Sequence, residues 1–169
     1  MMRQDRFTEQ AQNVLASSQE LVRRNRQTQW DVEHVLLAIA TETGLAADIL
    51  KELGVDERKL ATAAKDSLEK APKLAQDVVQ IYTTPRVVHM LERANVEAER
   101  LKDEYVGVEH LLIAIAGVTD GPHPYENAAS ILAEHGFTQE RIYNALQKIR
   151  GSARVTDQSA ESRYNTLEK

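Results

Sequence analysis

The side chains best suited to chemistry in this sequence are two threonine–glutamate pairs at related positions. Thr8 and Glu33 form one pair, and Thr84 and Glu109 form the other. Each threonine precedes a predicted long helix that it would cap, and each glutamate lies in the first turn of a predicted short helix. Helix capping and the helix dipole explain all four residues. The same groups also suit binding, because a carboxylate can hold a guanidinium in a fork and amides at a helix start can hold an anion.

A histidine follows each glutamate, at His34 and His110. Adjacent helical residues point about 100° apart, so neither Glu-His pair forms a natural chelating pair. The sequence contains no His-Glu-x-x-His motif and no Glu-x-x-His bundle motif, and we predict no metal site. An enzyme that uses Glu33 and Glu109 as paired carboxylates remains an alternative, although there is no obvious nucleophile or glycine-rich pocket.

The two pairs belong to two copies of one sequence unit. Residues 32–40 read VEHVLLAIA and residues 108–116 read VEHLLIAIA, so seven of nine positions are identical at an offset of 76. The same offset aligns Thr8 with Thr84. Downstream the offset becomes 82, because the second copy carries six extra residues around Gly121 and Pro122, which predict an exposed loop. Two copies of one motif imply a pseudo-twofold arrangement.

Each copy has the pattern of four helices. Apolar residues recur at i, i+3, i+4 and i+7, and no window shows the alternation of a strand. The predicted helix starts are Thr8, Asp31, Asp56, Thr84, Gly107, Glu126 and Thr138, and the predicted helix-ending glycines are Gly54, Gly136 and Gly151. We therefore predict an all-α fold in which two tandem four-helix repeats, at about 8–70 and 84–151, pack as a pseudo-twofold eight-helix domain.

Composition restricts the class of protein further. The net charge is -5, which predicts no nucleic-acid partner, and there is no cysteine for disulfides or metal. Neither a signal peptide nor a membrane span is evident, so we expect a cytoplasmic protein without a membrane partner. Residues 152–169 are polar and follow a helix-ending glycine, so they are interpreted as a linker beyond a domain of residues 1–151. Trp30 is either a hydrophobic staple or a partly exposed anchor for a bound chain.

Three motifs together resemble the Clp N-terminal repeat domain of Clp-type AAA+ unfoldases. They are the stretch Arg6-Phe7-Thr8-Glu9-x-Ala11, the two Val-Glu-His helices, and the stretch Tyr82-Thr83-Thr84-Pro85-Arg86. The resemblance covers about residues 3–151. The stretches IRGSARVTD at 149–157 and YNTLEK at 164–169 look like the linker into the first ATPase module of the ClpB, or disaggregase, branch. This branch is favoured over the protease-linked ClpC branch.

The resemblance implies a stress-response chaperone that is a homo-hexamer at full length and threads proteins through a pore. This domain would recognise substrates and adaptors, bind unfolded or aggregated polypeptides, and pass them to the pore. ATP and magnesium would belong to the absent ATPase modules, and this chain would be a monomer without a cofactor or catalytic role. The alternatives are a ClpC-type domain that recruits adaptors or phosphoarginine-marked proteins for proteolysis, and a free-standing helical regulator of a Clp ATPase.

The resemblance also implies binding residues, namely Thr8, Glu33, Thr84, Asp103 and Glu109. In ClpC-like relatives the residues that match the two Thr/Glu pairs bind phosphoarginine, but this sequence has Asp31-Val32 and Gly107-Val108 where that pattern has Gly-Thr. In ClpB-like relatives a polar cluster matches Thr8, Asp103 and Glu109. Asp103 can also be interpreted as a simple cap. Glu109 is expected to be exposed, so its replacement by alanine would weaken binding with little effect on stability.

Overall fold

The computed structural model describes residues 6–42, 44–117, 128–151, 153–158 and 160. The predicted exposed loop around Gly121, the predicted helix start at Glu126 and most of the tail after 158 lie outside these residues. Within the described part of the chain the protein is all-helical apart from two strands of two residues each. This confirms the predicted fold class.

The first repeat consists of four helices and one short strand. Helix α1 spans Glu9–Arg24, strand β1 Gln29–Trp30, helix α2 Val32–Thr41, helix α3 Leu45–Glu52 and helix α4 Glu57–Glu69. Thr8 caps α1, Asp31 caps α2 and Asp56 caps α4, as their side chains accept hydrogen bonds from first-turn amides. Gly54 follows α3 with a φ of 71°, a left-handed conformation that favours glycine.

The second repeat repeats this order. Strand β2 spans Tyr82–Thr83, helix α5 Pro85–Arg100, helix α6 Val108–Gly117, helix α7 Ala128–Glu134 and helix α8 Gln139–Arg150. Thr84 caps α5 with Pro85 in the first turn, and Thr138 caps α8. Even the unusual backbone angles repeat at the offset of 76, since Arg26 has a φ of 55° and Lys102 a φ of 61°. The predicted helix boundaries are therefore correct to within one or two residues where the structure describes them.

Helices α2 and α6 form the centre of the hydrophobic core. Every residue of α2 from Val32 to Ala40 is buried, as is every residue of α6 from Val108 to Ile115. Helices α1 and α4 pack on α2, while α5, α7 and α8 pack on α6, and α2 also contacts α6. A helix that is apolar on nearly all sides must be surrounded by others, and the amphipathic helices supply that cover.

The two repeats are joined by a reciprocal exchange of short extended segments. Strand β1, before α2, pairs in parallel with β2, before α5, with Trp30 opposite Thr83. At the equivalent place in the other half, Phe7 before α1 forms a parallel bridge with Val106 before α6. The segment before the first helix of each repeat thus pairs with the segment before the second helix of the other repeat. The predicted pseudo-twofold arrangement follows from this exchange.

The segment after α8 is part of the folded domain. Val155 and Ala160 are fully buried. The Val155 carbonyl accepts a hydrogen bond from the Glu104 amide at 2.7 Å, and the Gln158 carbonyl accepts one from the Glu9 amide at 2.7 Å. The predicted domain end at Gly151 is therefore too early, because residues 153–158 hydrogen-bond to both repeats. None of the described helices is long and apolar enough to cross a membrane.

Candidate binding site at the crossed helix starts

The crossed segments bring the starts of α2 and α5 together at one place, which we call site one. The Thr84 amide donates to the Trp30 carbonyl at 3.1 Å, and the Thr84 hydroxyl lies 3.4 Å from an oxygen of Asp31. Arg86 in the first turn of α5 holds the same carboxylate with its Nε at 3.0 Å and with a second, short bond from Nη2. An arginine of the second repeat thus neutralises the cap of the first repeat's central helix.

The starts of α1 and α6 meet at the equivalent place, site two. The Thr8 amide donates to the Val106 carbonyl at 3.0 Å, and the Thr8 hydroxyl accepts from the Ala11 amide at 3.1 Å. Here the main charge comes from α8 and not from α1. The Arg150 guanidinium donates to both oxygens of Asp103, at 2.6 and 3.1 Å, and to Glu109 at 3.4 Å. Site two therefore encloses two carboxylates around one guanidinium.

The segment after α8 is attached to site two through the same groups. Arg150 donates to the Ala153 carbonyl at 2.9 and 3.2 Å, and the Val155 amide donates to Asp103 at 2.9 Å. The Gln158 carbonyl then accepts the first amide of α1, next to the cap Thr8. Residues 153–158 thus cover the helix start at which a ligand of site two would bind.

The two histidines act as helix-capping groups. The His34 Nδ1 accepts from the Asp31 amide at 3.0 Å, and the His110 Nδ1 accepts from the Gly107 amide at 2.7 Å. The other nitrogen must then carry the hydrogen and donate, from His34 to Gln27 and from His110 to Asp103, at 2.7 Å in both cases. Histidine thus takes the part that glutamate or glutamine plays in an ordinary capping box.

Burial and neighbouring charges shift the titration of these groups. Burial raises the pKa of Glu33 to about 8, and the Asp31 carboxylate beside it adds to the rise. Burial also lowers the pKa of His34 to about 4, against the attraction of Asp31. At Asp103 burial acts to raise the pKa, but hydrogen bonds from His110, Arg150 and the Val155 amide outweigh it and the pKa is lowered. Glu33 is thus protonated at neutral pH, while Asp103 is ionised.

All five predicted binding residues lie at these two sites, but their side chains are buried. Thr8, Glu33 and Glu109 are 0 % exposed, Asp103 is 6 % exposed and Thr84 is 9 % exposed. The expectation that Glu109 is exposed is therefore wrong. Its Oε2 faces Arg150, and its Oε1 accepts no hydrogen bond from the residues that the structure describes. Direct contact of these side chains with a ligand stays a prediction, and it would require residues around them to move.

The grouping of the five residues also differs from the sequence interpretation. One Thr/Glu pair per repeat was expected, whereas the crossed segments place Thr84 beside the start of α2 and Thr8 beside the start of α6. Thr8, Asp103 and Glu109 do converge at site two, as the resemblance implied, with helix starts from both repeats. Trp30 is buried, and its indole nitrogen donates to the Ser18 hydroxyl at 2.9 Å, so it is a core residue and not an exposed anchor.

The sequence did not predict the role of two arginines at these sites. Arg150 appeared only within the linker-like stretch at 149–157, and Arg86 only as part of the stretch Tyr82-Thr83-Thr84-Pro85-Arg86. Arg150 aligns with Leu68 of the first repeat at the offset of 82, and Asp103 aligns with Gln27 at the offset of 76. In the first repeat the Gln27 side chain donates to the Leu68 carbonyl at 2.8 Å. The second repeat has Asp103 and Arg150 at these two positions. This joint change was the signal in the sequence that an ion pair replaces the Gln27–Leu68 hydrogen bond.

The exposed large hydrophobic side chains lie in one stretch of the described sequence. Five large hydrophobic side chains are exposed among the described residues, and all of them lie between positions 74 and 96: Leu74, Val79, Tyr82, Val88 and Val96. Val88 and Val96 are eight residues apart on α5 and therefore share one face of that helix. Tyr82 belongs to strand β2 just before the helix. The exposed Glu92 lies between these two valines on the helix. We call the two valines the apolar face of α5, which lies outside the core and is open to a partner.

Comparisons with known proteins agree with the fold and the repeat. The sequence matches the family described as the Clp repeat (R) N-terminal domain over residues 6–126. It is similar to the chaperone protein ClpB of Rhodopirellula baltica, with 38% identity over 98% of this chain and 18% of that protein. It is also similar to the chaperone protein ClpB 1 of a Nostoc species, with 34% identity and the same coverage. The chain thus spans about a fifth of the length of these relatives.

A solved structure shows the same fold. The N-terminal domain of Hsp104 from Candida albicans superposes with a TM-score of 0.76 at 22% identity, and the match covers 92% of this chain and 98% of that one.

Proposed function

Since this chain belongs to the family of Clp repeat (R) N-terminal domains, we propose that it is the substrate- and adaptor-recognition domain of an ATP-dependent disaggregating chaperone. In this proposal it binds unfolded or aggregated polypeptides and passes them to the ATPase pore of a longer protein. The similarity to chaperones named ClpB supports the chaperone role. The ATPase, its magnesium and its hexameric assembly would belong to parts of the protein beyond this domain, which itself would have no catalytic task and no cofactor.

The apolar face of α5 carries this proposal. Unfolded and aggregated proteins differ from folded ones mainly in the hydrophobic side chains that they expose, and a recognition domain needs an apolar surface for them. Val88 and Val96 supply two such contacts on one helix face, and Tyr82 supplies an aromatic contact at its start. A surface of this size gives only weak binding, in the micromolar range. Weak binding suits a domain that must release its cargo and that acts in several copies.

The helix-start residues support this surface from beneath. Asp31 and Thr84 fix the start of α5 against α2, so that Tyr82 and Val88 are held on a rigid frame. We propose that Thr8, Glu33, Thr84, Asp103 and Glu109 contribute to binding in this way, by positioning the two crossed helix starts. The partners of the domain are then selected mainly by apolar contact.

The ClpC-type alternative has less support from site one. Recognition of phosphoarginine there would require a carboxylate that is available to an incoming guanidinium. The Arg86 guanidinium of the chain itself already holds Asp31, and Glu33 is buried with its pKa raised to about 8, which leaves it neutral. A phosphoarginine peptide is therefore expected to bind no better than the same peptide with unmodified arginine.

The proposed function is tested by binding of a permanently unfolded, carboxymethylated model protein with a fluorescent label. Replacing both Val88 and Val96 by serine should weaken binding about thirtyfold. Each valine contributes on the order of 1 kcal/mol when a partner covers its exposed half, and 1.4 kcal/mol corresponds to a factor of ten. Fluorescence anisotropy measures the affinity, and circular dichroism verifies that the helices are intact.

Val79→Ser is the matched control, because Val79 is 95 % exposed but precedes β2 and is not part of the α5 face. It should bind as the unchanged chain does. Equal affinity of the unchanged chain and a folded Val88→Ser/Val96→Ser variant would refute the role of α5 in substrate binding.

A further inference from the structure

A second candidate site lies at the other end of α5 from site one and adjoins site two through Arg150. A surface cavity of about 400 Å³ opens between the C-terminal ends of α5 and α8 and the segment that follows α8. Arg100, Lys102, Arg150 and Arg154 line it, and none of the acidic residues that the structure describes does. Four cations around one cavity stand out in a chain whose net charge is -5. The proposed function makes no use of this α5–α8 pocket.

Helix dipoles explain only two of these four cations. Arg100 and Arg150 are the last residues of α5 and α8, where a cation is favourable in any helix. Both are also neutralised locally, since Glu97 lies 3.3 Å from Arg100 and Asp103 lies 2.6 Å from Arg150. Lys102 and Arg154 come after the helices have ended. Lys102 forms no salt bridge with the part of the chain that the structure describes, and it lines the pocket.

The remaining lining is mostly apolar and aromatic, with Gln147 as one further polar residue. Tyr143, Leu101 and Leu146 contribute to the wall, and the Arg100 guanidinium lies over the Tyr143 ring at 4.6 Å from its centre. The stacking holds the Arg100 guanidinium beside the Tyr143 ring. The pocket therefore combines cationic donors for a carboxylate with a hydrophobic wall for an aliphatic or aromatic side chain.

From this combination we propose that the α5–α8 pocket binds a short acidic segment of another polypeptide, in which aspartate or glutamate adjoins a large apolar residue. The carboxylates would pair with Lys102 and Arg154, and the apolar side chain would lie against Tyr143 and Leu146. A nucleic acid fits less well, because its long run of phosphates would be repelled by the negative charge of the domain as a whole. Gly151 and Arg154 belong to the segment after α8, so the bound polypeptide would lie beside that segment.

The test uses a fluorescein-labelled ten-residue peptide of alternating glutamate and leucine, and the same peptide with glutamine in place of glutamate. The acidic peptide should bind at low salt at least tenfold more tightly than the glutamine peptide, and raising the salt concentration should weaken its binding. The double variant Lys102→Glu/Arg154→Glu should lose at least tenfold in affinity. In a nuclear magnetic resonance titration, the shifted amides should cluster around Gly151 and Tyr143.

The matched control is Lys59→Glu/Lys65→Glu, which makes the same change of charge on the exposed surface of α4. It should bind the acidic peptide within about twofold of the unchanged chain, since these lysines are far from the pocket along the chain and on another helix. Equal losses in the two double variants would show that only net charge matters and would overturn the proposal. Tighter binding of a single-stranded oligonucleotide than of the acidic peptide, or equal binding of the two peptides, would overturn it as well. Neither result bears on binding of unfolded protein at the apolar face of α5.

Discussion

Replacement of Arg150 by methionine is expected to destabilise the domain by about 3–5 kcal/mol, the usual range when one partner of a buried ion pair is removed. The Arg150 side chain is 5 % exposed, and it is the shared donor to Asp103 and Glu109, whose side chains are 0 % exposed. Methionine preserves the length and apolar volume of the stem but leaves two carboxylates without that cation. Asp103 would retain its bonds from His110 and the Val155 amide.

Urea unfolding followed by circular dichroism measures this loss as a lower midpoint. Lys148→Met is the matched control on the same helix, because Lys148 is 72 % exposed and its contact with Glu52 is a surface ion pair. Such pairs contribute about 0–1 kcal/mol. The stability of Arg150→Lys should lie between those of the two methionine variants. Lysine keeps the positive charge but cannot donate two parallel hydrogen bonds to a carboxylate as arginine does. An Arg150→Met variant as stable as Lys148→Met would show that the buried network does not hold the fold together.

The same substitution should loosen the segment after α8 more than the rest of the domain. Arg150 binds the Ala153 carbonyl, and Asp103 binds the Val155 amide, so the network connects α6, α8 and residues 153–158. Hydrogen exchange of the Val155 and Glu104 amides should therefore accelerate first in Arg150→Met, under conditions where the amides of α2 remain protected. Uniform acceleration throughout the domain would contradict this local effect.

The stability of the domain should fall as the pH rises from 6.5 to 8, and Glu33 should be the cause. The pKa of Glu33 is raised from 4.5 in an unfolded chain to about 8 in the fold. Between pH 4.5 and pH 8 the unfolded chain has lost a proton that the folded chain retains. The contribution of Glu33 to stability is therefore complete below pH 4.5 and is lost as the pH approaches 8. At 1.36 kcal/mol for each pH unit, the loss from 6.5 to 8 is about 2 kcal/mol.

Glu33→Gln should remove this pH dependence, since glutamine has nearly the same shape and does not titrate. His34 acts in a different range. Its pKa is lowered to about 4, so its contribution is present above 6.5 and is lost as the pH falls through about 4. Urea unfolding at pH 6.5, 7.25 and 8 therefore isolates Glu33. Glu57→Gln, an exposed first-turn position of α4, is the control and should keep the slope of the unchanged chain. Parallel slopes for all three proteins would contradict the assignment.

The helices and the duplication could be predicted because both are local properties of the sequence. A cap such as Thr8 or Asp31 acts on amides two or three residues away, and the apolar spacing of α1 or α5 is complete within one segment. The repeat was visible because the two central helices are nearly identical in sequence. These features yielded the all-α class and the helix starts that the structure describes, without any knowledge of packing.

The candidate site depended on contacts between residues that are far apart in the sequence. Thr84 contacts Asp31, which is 53 positions away in the sequence, and Arg150 contacts Asp103, which is 47 positions away. No local sequence pattern predicts such partners. Burial of Glu109 was missed for the same reason. A first-turn carboxylate is normally exposed and favourable through the helix dipole, but α6 is covered on all sides and its first turn is covered with it.

The sequence by itself thus determined the helices, their caps and the two-copy plan, because hydrogen bonds and apolar periodicity along one segment are enough to define them. Only the tertiary structure decided that the helix starts cross between repeats, that Arg86 and Arg150 neutralise the carboxylates there, and that the polar segment after Gly151 packs on the domain. Those outcomes depend on which distant groups are desolvated together. Removal from water makes a pairing such as that of Asp103 with Arg150 necessary. How far a residue is removed from water depends on the packed core and not on that residue's neighbours in the chain.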